Sequence, residues 1–314
     1  MSGATAGGGF SRDFWLYLGA RFCTAAAMMM LRAAVAWHVF ALSKSAFHLG
    51  LIGLVQFLPA LTLTLVGGAM ADTYDRRRIM LLAQAVFLAC CLALFAATRT
   101  GLTTLPLLYA IILVVGAAGA FDSPSRAALL PTLVPREAFP RAVTIAAANQ
   151  ALAFTTGPAL GGVAIAAAGV ASAYAVSASL IAAALVALAW LRPPAQQPVR
   201  GAVSLRAIRE GLAFVRRNPV VLGCMTLDMF AVIFGGAAAL LPIYANEILH
   251  VGPRGYGMLT SSLELGALLM SLLLTLRRPI AAPDRRCSSP WASTGWPASS
   301  SDCHARFRSP SRRT

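Results

Sequence analysis

Charge is what this chain has least of. Only 12% of its 314 residues are Asp, Glu, Lys or Arg, about half the share usual in a soluble domain. So few charges cannot clothe a surface that meets water on every side, which excludes an ordinary soluble globular fold. Acidic residues are scarcer than basic ones, 11 against 26, and Lys44 is the sole lysine, a bias that reads as GC-rich coding sequence rather than as chemistry. Cysteine is sparse and carries no metal-ligand spacing. Cys23, Cys90, Cys91 and Cys224 lie in apolar runs and Cys287 and Cys303 in a polar tail, so thiols packed as small apolar groups are the reading. A Gly-x-x-x-x-Gly-Lys-Ser/Thr phosphate loop is missing, which argues against a self-contained ATP-driven machine. The N-terminal stretch "MSGATAGGGFSRDF" lacks the short apolar core and cleavage site of a secretory signal, so the first apolar run is expected to be a retained helix.

What the chain does have is apolar sequence, 58% of its residues, in runs of about 20 or more, the length needed to cross a bilayer core as helix. Eight spanning helices are predicted, at 14–42, 47–71, 79–98, 103–125, 142–168, 170–191, 220–246 and 255–276. The fold class is therefore an all-α polytopic membrane protein. Its organisation reads as a six-helix bundle over 1–192, a linker with an amphipathic helix over 193–219, two further helices over 220–276, and a tail over 277–314 rich in Arg, Ser and Pro. In the linker Leu205, Ile208, Leu212 and Val215 recur at helical spacing with arginines opposite, as expected of a helix lying on a membrane surface.

A formal charge of +15 invites a nucleic-acid reading, but the arginines punctuate the ends of apolar runs instead of covering a polar domain. With the N-terminus placed in the cytoplasm, the inner segments hold Arg12, Arg76–Arg78, Arg126, Arg136, Arg141, Arg192 and the linker arginines. The outer loops hold Lys44, Arg99 and Arg254. That asymmetry predicts a cytoplasmic N-terminus in a bacterial inner membrane.

Two motifs stand out. "GGAMADTYDRRRIM" sets Asp72 and Asp75 against Arg76–Arg78 between the second and third spans, and "TTGPALGG" places Gly157, Pro158, Gly161 and Gly162 in the fifth. Carboxylates suit a helix N-terminus, and arginines can pair with acids on neighbouring helices; Asp122 is the expected partner of Arg76. Proline and glycines in one helix kink it and permit close packing.

The six-helix half, the basic linker and the charged loop resemble the major facilitator superfamily. Gly68, Asp72, Arg77 and Arg78 match its loop signature, while Thr73 stands for a basic residue and Asp75 for a second Gly. Gly157, Pro158, Gly161 and Gly162 resemble the superfamily's antiporter motif, with Thr144 and Ala153 where upstream glycines would fall. "FDSPSRAALLPTLVPRE", "FVRRNPVVLG" and "LLPIYANEILHVGPRGYGMLTSSLELGALL" look like the branch of enterobactin and macrolide exporters. The resemblance covers about 12–280 and implies two six-helix halves, of which this chain has the first and the start of the second. A truncation or frameshift near Ala281 is the expectation. It further implies alternating access, a cytoplasmic gate at Gly68, Asp72, Arg76, Arg77, Arg78 and Asp122, and proton-coupled export of a small amphipathic molecule. Partners would be the bilayer, that substrate and protons, with no cofactor, metal or nucleic acid, for a monomer. Inactivity through incompleteness is the alternative.

Glu264 sits mid-span, where a charged carboxyl is costly; it is a candidate for proton coupling, or for a pair with Arg32. Arg32 either faces a cavity and attracts an anion or snorkels to the interface. Gln56, Asn149 and Gln150 either line the cavity or bond helix to helix. Asp228 reads as structural. A second reading takes "DTYD" as the D-x-x-D pair of a membrane-embedded transferase, but such a site needs a second acidic cluster to hold its metal, and the sequence has none.

Overall fold

The structure, a computed structural model, describes residues 10–191, 216–219, 221–223, 226–227 and 240–276. Six long helices open the chain: α1 (Arg12–Ser43), α2 (Ala46–Thr73), α3 (Arg76–Arg99), α4 (Leu105–Leu133), α5 (Phe139–Ala168) and α6 (Val170–Trp190). Each is long and apolar enough to cross a membrane. Their ends follow local chemistry. The Ser11 side chain accepts from the Phe14 N–H to start α1, and Lys44 closes it in the left-handed region at φ 47°. Asp75 starts α3 by accepting from the Arg77 N–H at 2.9 Å. Gly169, at φ 77°, turns the chain between α5 and α6.

One boundary departs from expectation. The fourth span, predicted to end at 125, runs on to Leu133 through Pro124 and Pro131. Each proline removes a ladder bond, yet the helix survives in packed surroundings. The Ala120 carbonyl, which Pro124 deprives of its ladder partner, faces the backbone of Gly67 on α2 at a distance that leaves no room for a Cβ. Arg126 consequently lies inside α4 and not in a loop.

The packing repeats itself. α1 lies against α5 and α6, α2 against α4, and α3 against α4 and α6. Exchanging α1–α3 for α4–α6 maps these pairs onto one another, a three-plus-three internal repeat of the kind that builds transporter halves. The largest apolar cluster joins Met30, Val39, Phe87, Leu94, Leu108 and Ile181, among others. A second, around Phe14, Tyr17, Leu129 and Leu188, closes the end that carries the N-terminus.

Beyond the bundle come a short α7 (Leu241–Ile243), a π turn (Tyr244–Ile248) and α8 (Gly252–Leu276). α7 is the described end of the span predicted at 220–246, and α8 coincides with the one predicted at 255–276. His250 and Gly252, both at positive φ, reverse the chain between them. Tyr256 of α8 packs its ring against Trp37 of α1, with centroids 5.6 Å apart. Chain to Ser271 forms one compact unit, and a second unit begins at Leu272. The linker helix over 205–215, Asp228 and the tail over 277–314 lie outside the described residues.

Candidate functional site

A cavity of about 310 Å³ opens between α1, α3, α4 and α5, at the lower end of the range for small-molecule sites. Its walls carry three guanidinium groups, Arg21, Arg32 and Arg126, and one carboxylate, Asp122; Met28, Met29, Phe87 and Phe154 supply apolar surface. Arg21 and Arg32 are eleven positions apart on α1. At 100° per residue that returns them to one face, about 16 Å apart along the axis.

The partners of these cations are mostly neutral. Arg21 donates to the Gln150 amide oxygen and to the Tyr17 hydroxyl at 3.4 Å. Tyr17 in turn donates to the Arg126 carbonyl at 3.0 Å. With the Gln56 amide turned so that its oxygen meets the guanidinium, Arg32 donates to it through Nε at 2.7 Å and Nη2 at 3.2 Å. Among the described residues, only Arg126 of the three has an ionic partner, Asp122 one turn earlier on α4. Asp122 is buried; its Oδ2 takes the Arg126 bond and its Oδ1 has no hydrogen-bond partner among the described residues. Among the described residues, three positive groups against one negative leave the wall with two positive charges in excess. Unbalanced charge inside a bundle is expensive, so such a wall favours an anion.

The arginine triplet works at the end that carries the N-terminus. Arg76 donates to the Ala71 carbonyl in the last turn of α2 at 3.2 Å, and to the Ala128 carbonyl of α4 at 2.9 Å. Arg77 donates to the Leu188 carbonyl at 3.1 Å and to that of Ala189, in the last turn of α6. Arg78 stays exposed, 3.7 Å from Asp75. The first turn of α3 thereby caps two neighbouring helices, whose terminal carbonyls attract cations. The expected Arg76–Asp122 pair does not form. Arg126, which sequence reading assigned to a loop, reaches Asp122 at helical spacing instead. Asp72 lies in the last turn of α2, and its side chain is outside the described residues. Gly68 meets open space; its neighbour Gly67 carries the close approach.

In α5 the glycines face two ways. A Cβ on Gly157 would come within 2.6 Å of the Ala26 carbonyl on α1, and one on Gly161 within 3.2 Å of Met30. A Cβ on Gly162 would come within 2.6 Å of the Pro253 carbonyl and 2.9 Å of Gly257 Cα, both on α8. Pro158 is buried beside it, its carbonyl 2.6 Å from where a Cβ on Gly257 would sit. The motif is a two-sided seam that only small residues allow.

Of the other candidates, Gln56 holds Arg32 and Asn149 donates to the Leu18 carbonyl at 3.1 Å, a bond from helix to helix. Glu264 is half-buried on α8 and pairs neither with Arg32 nor with any other cation among the described residues. Sequence reading missed Arg21 and Tyr17 altogether. The available signal was the one-face spacing of Arg21 and Arg32.

Residues 12–288 match the family described as transmembrane secretion effector. The enterobactin exporter EntS of Citrobacter koseri is 29% identical over 258 residues, covering 81% of this chain and 61% of the relative. The multidrug efflux pump Tap of Mycolicibacterium fortuitum is 26% identical over 255 residues, covering 75% of this chain and 60% of the relative. The chain thus spans about 60% of the length of these two relatives. The crystal structure of a D-xylose-proton symporter superimposes with a TM-score of 0.52 at 16% identity, over 83% of this chain and 67% of that one, a likeness of fold.

Proposed function

Because the chain belongs to the transmembrane secretion effector family of the major facilitator superfamily, we propose that it serves an exporter of small amphipathic anions working by alternating access. The observation that carries this reading is the cavity wall, where Arg21, Arg32 and Arg126 outnumber Asp122. Aromatic and thioether surface beside the guanidinium groups suits a ligand with an acidic group on an aromatic body. A siderophore of the catecholate kind has that chemistry, and the likeness to an enterobactin exporter supports it. The likeness to a multidrug pump supports a wider range of amphipathic cargo through the same methionines.

In this reading the basic residues at the end that carries the N-terminus face the cytoplasm, as their excess over the opposite loops supports. The Arg76–Arg77 caps hold that end together, and the Gly157–Gly162 seam joins the first half to α8 at the other. Glu264, without a cationic partner among the described residues, is the proposed proton site: it binds and releases a proton as the halves rock, and no covalent chemistry occurs. The chain would act as a monomer with the bilayer, a small-molecule substrate and protons as its partners.

The test is transport by the full chain in proteoliposomes under an imposed pH gradient. Salicylate serves as the probe and its neutral counterpart salicylamide as the control. Gradient-driven salicylate movement that stops with a protonophore and in E264Q is expected. Movement indifferent to the gradient removes proton coupling, and movement unchanged in E264Q removes Glu264.

A further inference from the structure

The ion pair at the cavity wall is only half made. Asp122 offers Oδ2 to Arg126, while its buried Oδ1 faces no donor among the described residues. A carboxylate engaged to hold an arginine in place ordinarily uses both oxygens, and the guanidinium fork is shaped to receive both. Arg126 for its part makes one side-chain bond, through Nη2, among the described residues, and lines the cavity. Arg126 is left with unused donors at the cavity wall, and Asp122 with a buried, unbonded oxygen beside it.

We infer that Asp122 is a built-in counter-ion that holds the place of the substrate's acidic group on Arg126 and competes with it, so that the cavity accepts an anion without trapping it. This rests on the anion reading of the same cavity. The exchange is of partners and not of protons. The substrate's carboxylate or catecholate takes the Arg126 N–H groups, Asp122 turns away, and its return expels the ligand. The charged groups facing Asp122 across the cavity are Arg21 and Arg32 of α1 and Arg126 of α4. α3 and α5 present Phe87, Gln150 and Phe154, none of them charged. The displaced carboxylate therefore stays among cations. A transport site must bind well enough to load and weakly enough to unload, and a tethered competitor meets both needs.

The experiment measures binding of salicylate and salicylamide to the full chain in lipid nanodiscs. D122N should bind salicylate about tenfold tighter than the unaltered chain, the worth of one charge-assisted hydrogen bond, and release it more slowly. Its affinity for salicylamide should not move, and D122E should behave like the parent. If D122N binds salicylate equally or more weakly while the parent still prefers salicylate over salicylamide, Asp122 only steadies Arg126 and the inference fails alone. If the parent shows no preference, the anion reading fails and the exchange with it. Should D122N not fold, difference infrared spectra of the parent decide. Salicylate carrying a 13C carboxyl should shift a protein carboxylate band that salicylamide leaves alone, and the lack of any shift overturns the proposal.

Discussion

Gly67 and Gly68 differ by one position and by everything that packing asks of them. The superfamily signature falls on Gly68, yet a methyl group there would meet nothing within 4 Å, whereas one on Gly67 would collide with the Ala120 carbonyl. G67A should therefore destabilise the protein by about 1–3 kcal/mol, the cost of forcing volume into a filled contact. G68A should stay within about 0.5 kcal/mol. Thermal unfolding in detergent reads both, and equal effects would show that α2 and α4 do not meet as described. Asp75 illustrates the same point. As the second acid of "DTYD" it suggested metal chemistry, but its side chain is spent on the α3 N-terminus. Residue roles such as these follow from which neighbour arrives, and a linear sequence does not say which.

The helices themselves were legible, because a bilayer-length apolar run between turn signals admits little else. α1, α3 and α6 begin and end within three residues of their expected limits. α4 was not legible at its far end: the expected span stopped at 125, while the helix runs on to Leu133 through Pro131, with tertiary contacts at Gly67 and Arg76 along it. That misplacement hid the Asp122–Arg126 pair, although its spacing of four is itself a helix signal. Arg77 closes the C-terminal turn of α6, so R77A should speed hydrogen exchange in residues 187–190 by about tenfold. R77K, with a point charge in place of a fork, should recover only part of the protection. Unchanged exchange in R77A would mean that the cap holds nothing.

At the scale of the whole molecule, the three-plus-three packing repeat places α1 and α4 on opposite sides of one cavity, and that arrangement brings Arg21, Arg32 and Arg126 together. Sequence reading weighed Arg32 as facing a cavity, as snorkelling or as paired with Glu264. Its actual partner, Gln56, lies on another helix, and so does the Gln150 that holds Arg21. The fold was thus readable from hydropathy, while the site depended on crossings between helices that hydropathy does not encode. The central claim is that this wall selects anions. The most direct measurement is equilibrium binding of salicylate against salicylamide to the full chain in lipid nanodiscs, beside the R21Q/R32Q double variant. The account predicts that the unaltered chain prefers salicylate by about tenfold or more and that the double variant, left with Arg126 alone, keeps a smaller preference. Equal affinity for acid and amide in the unaltered chain, or a preference undiminished in R21Q/R32Q, would contradict it.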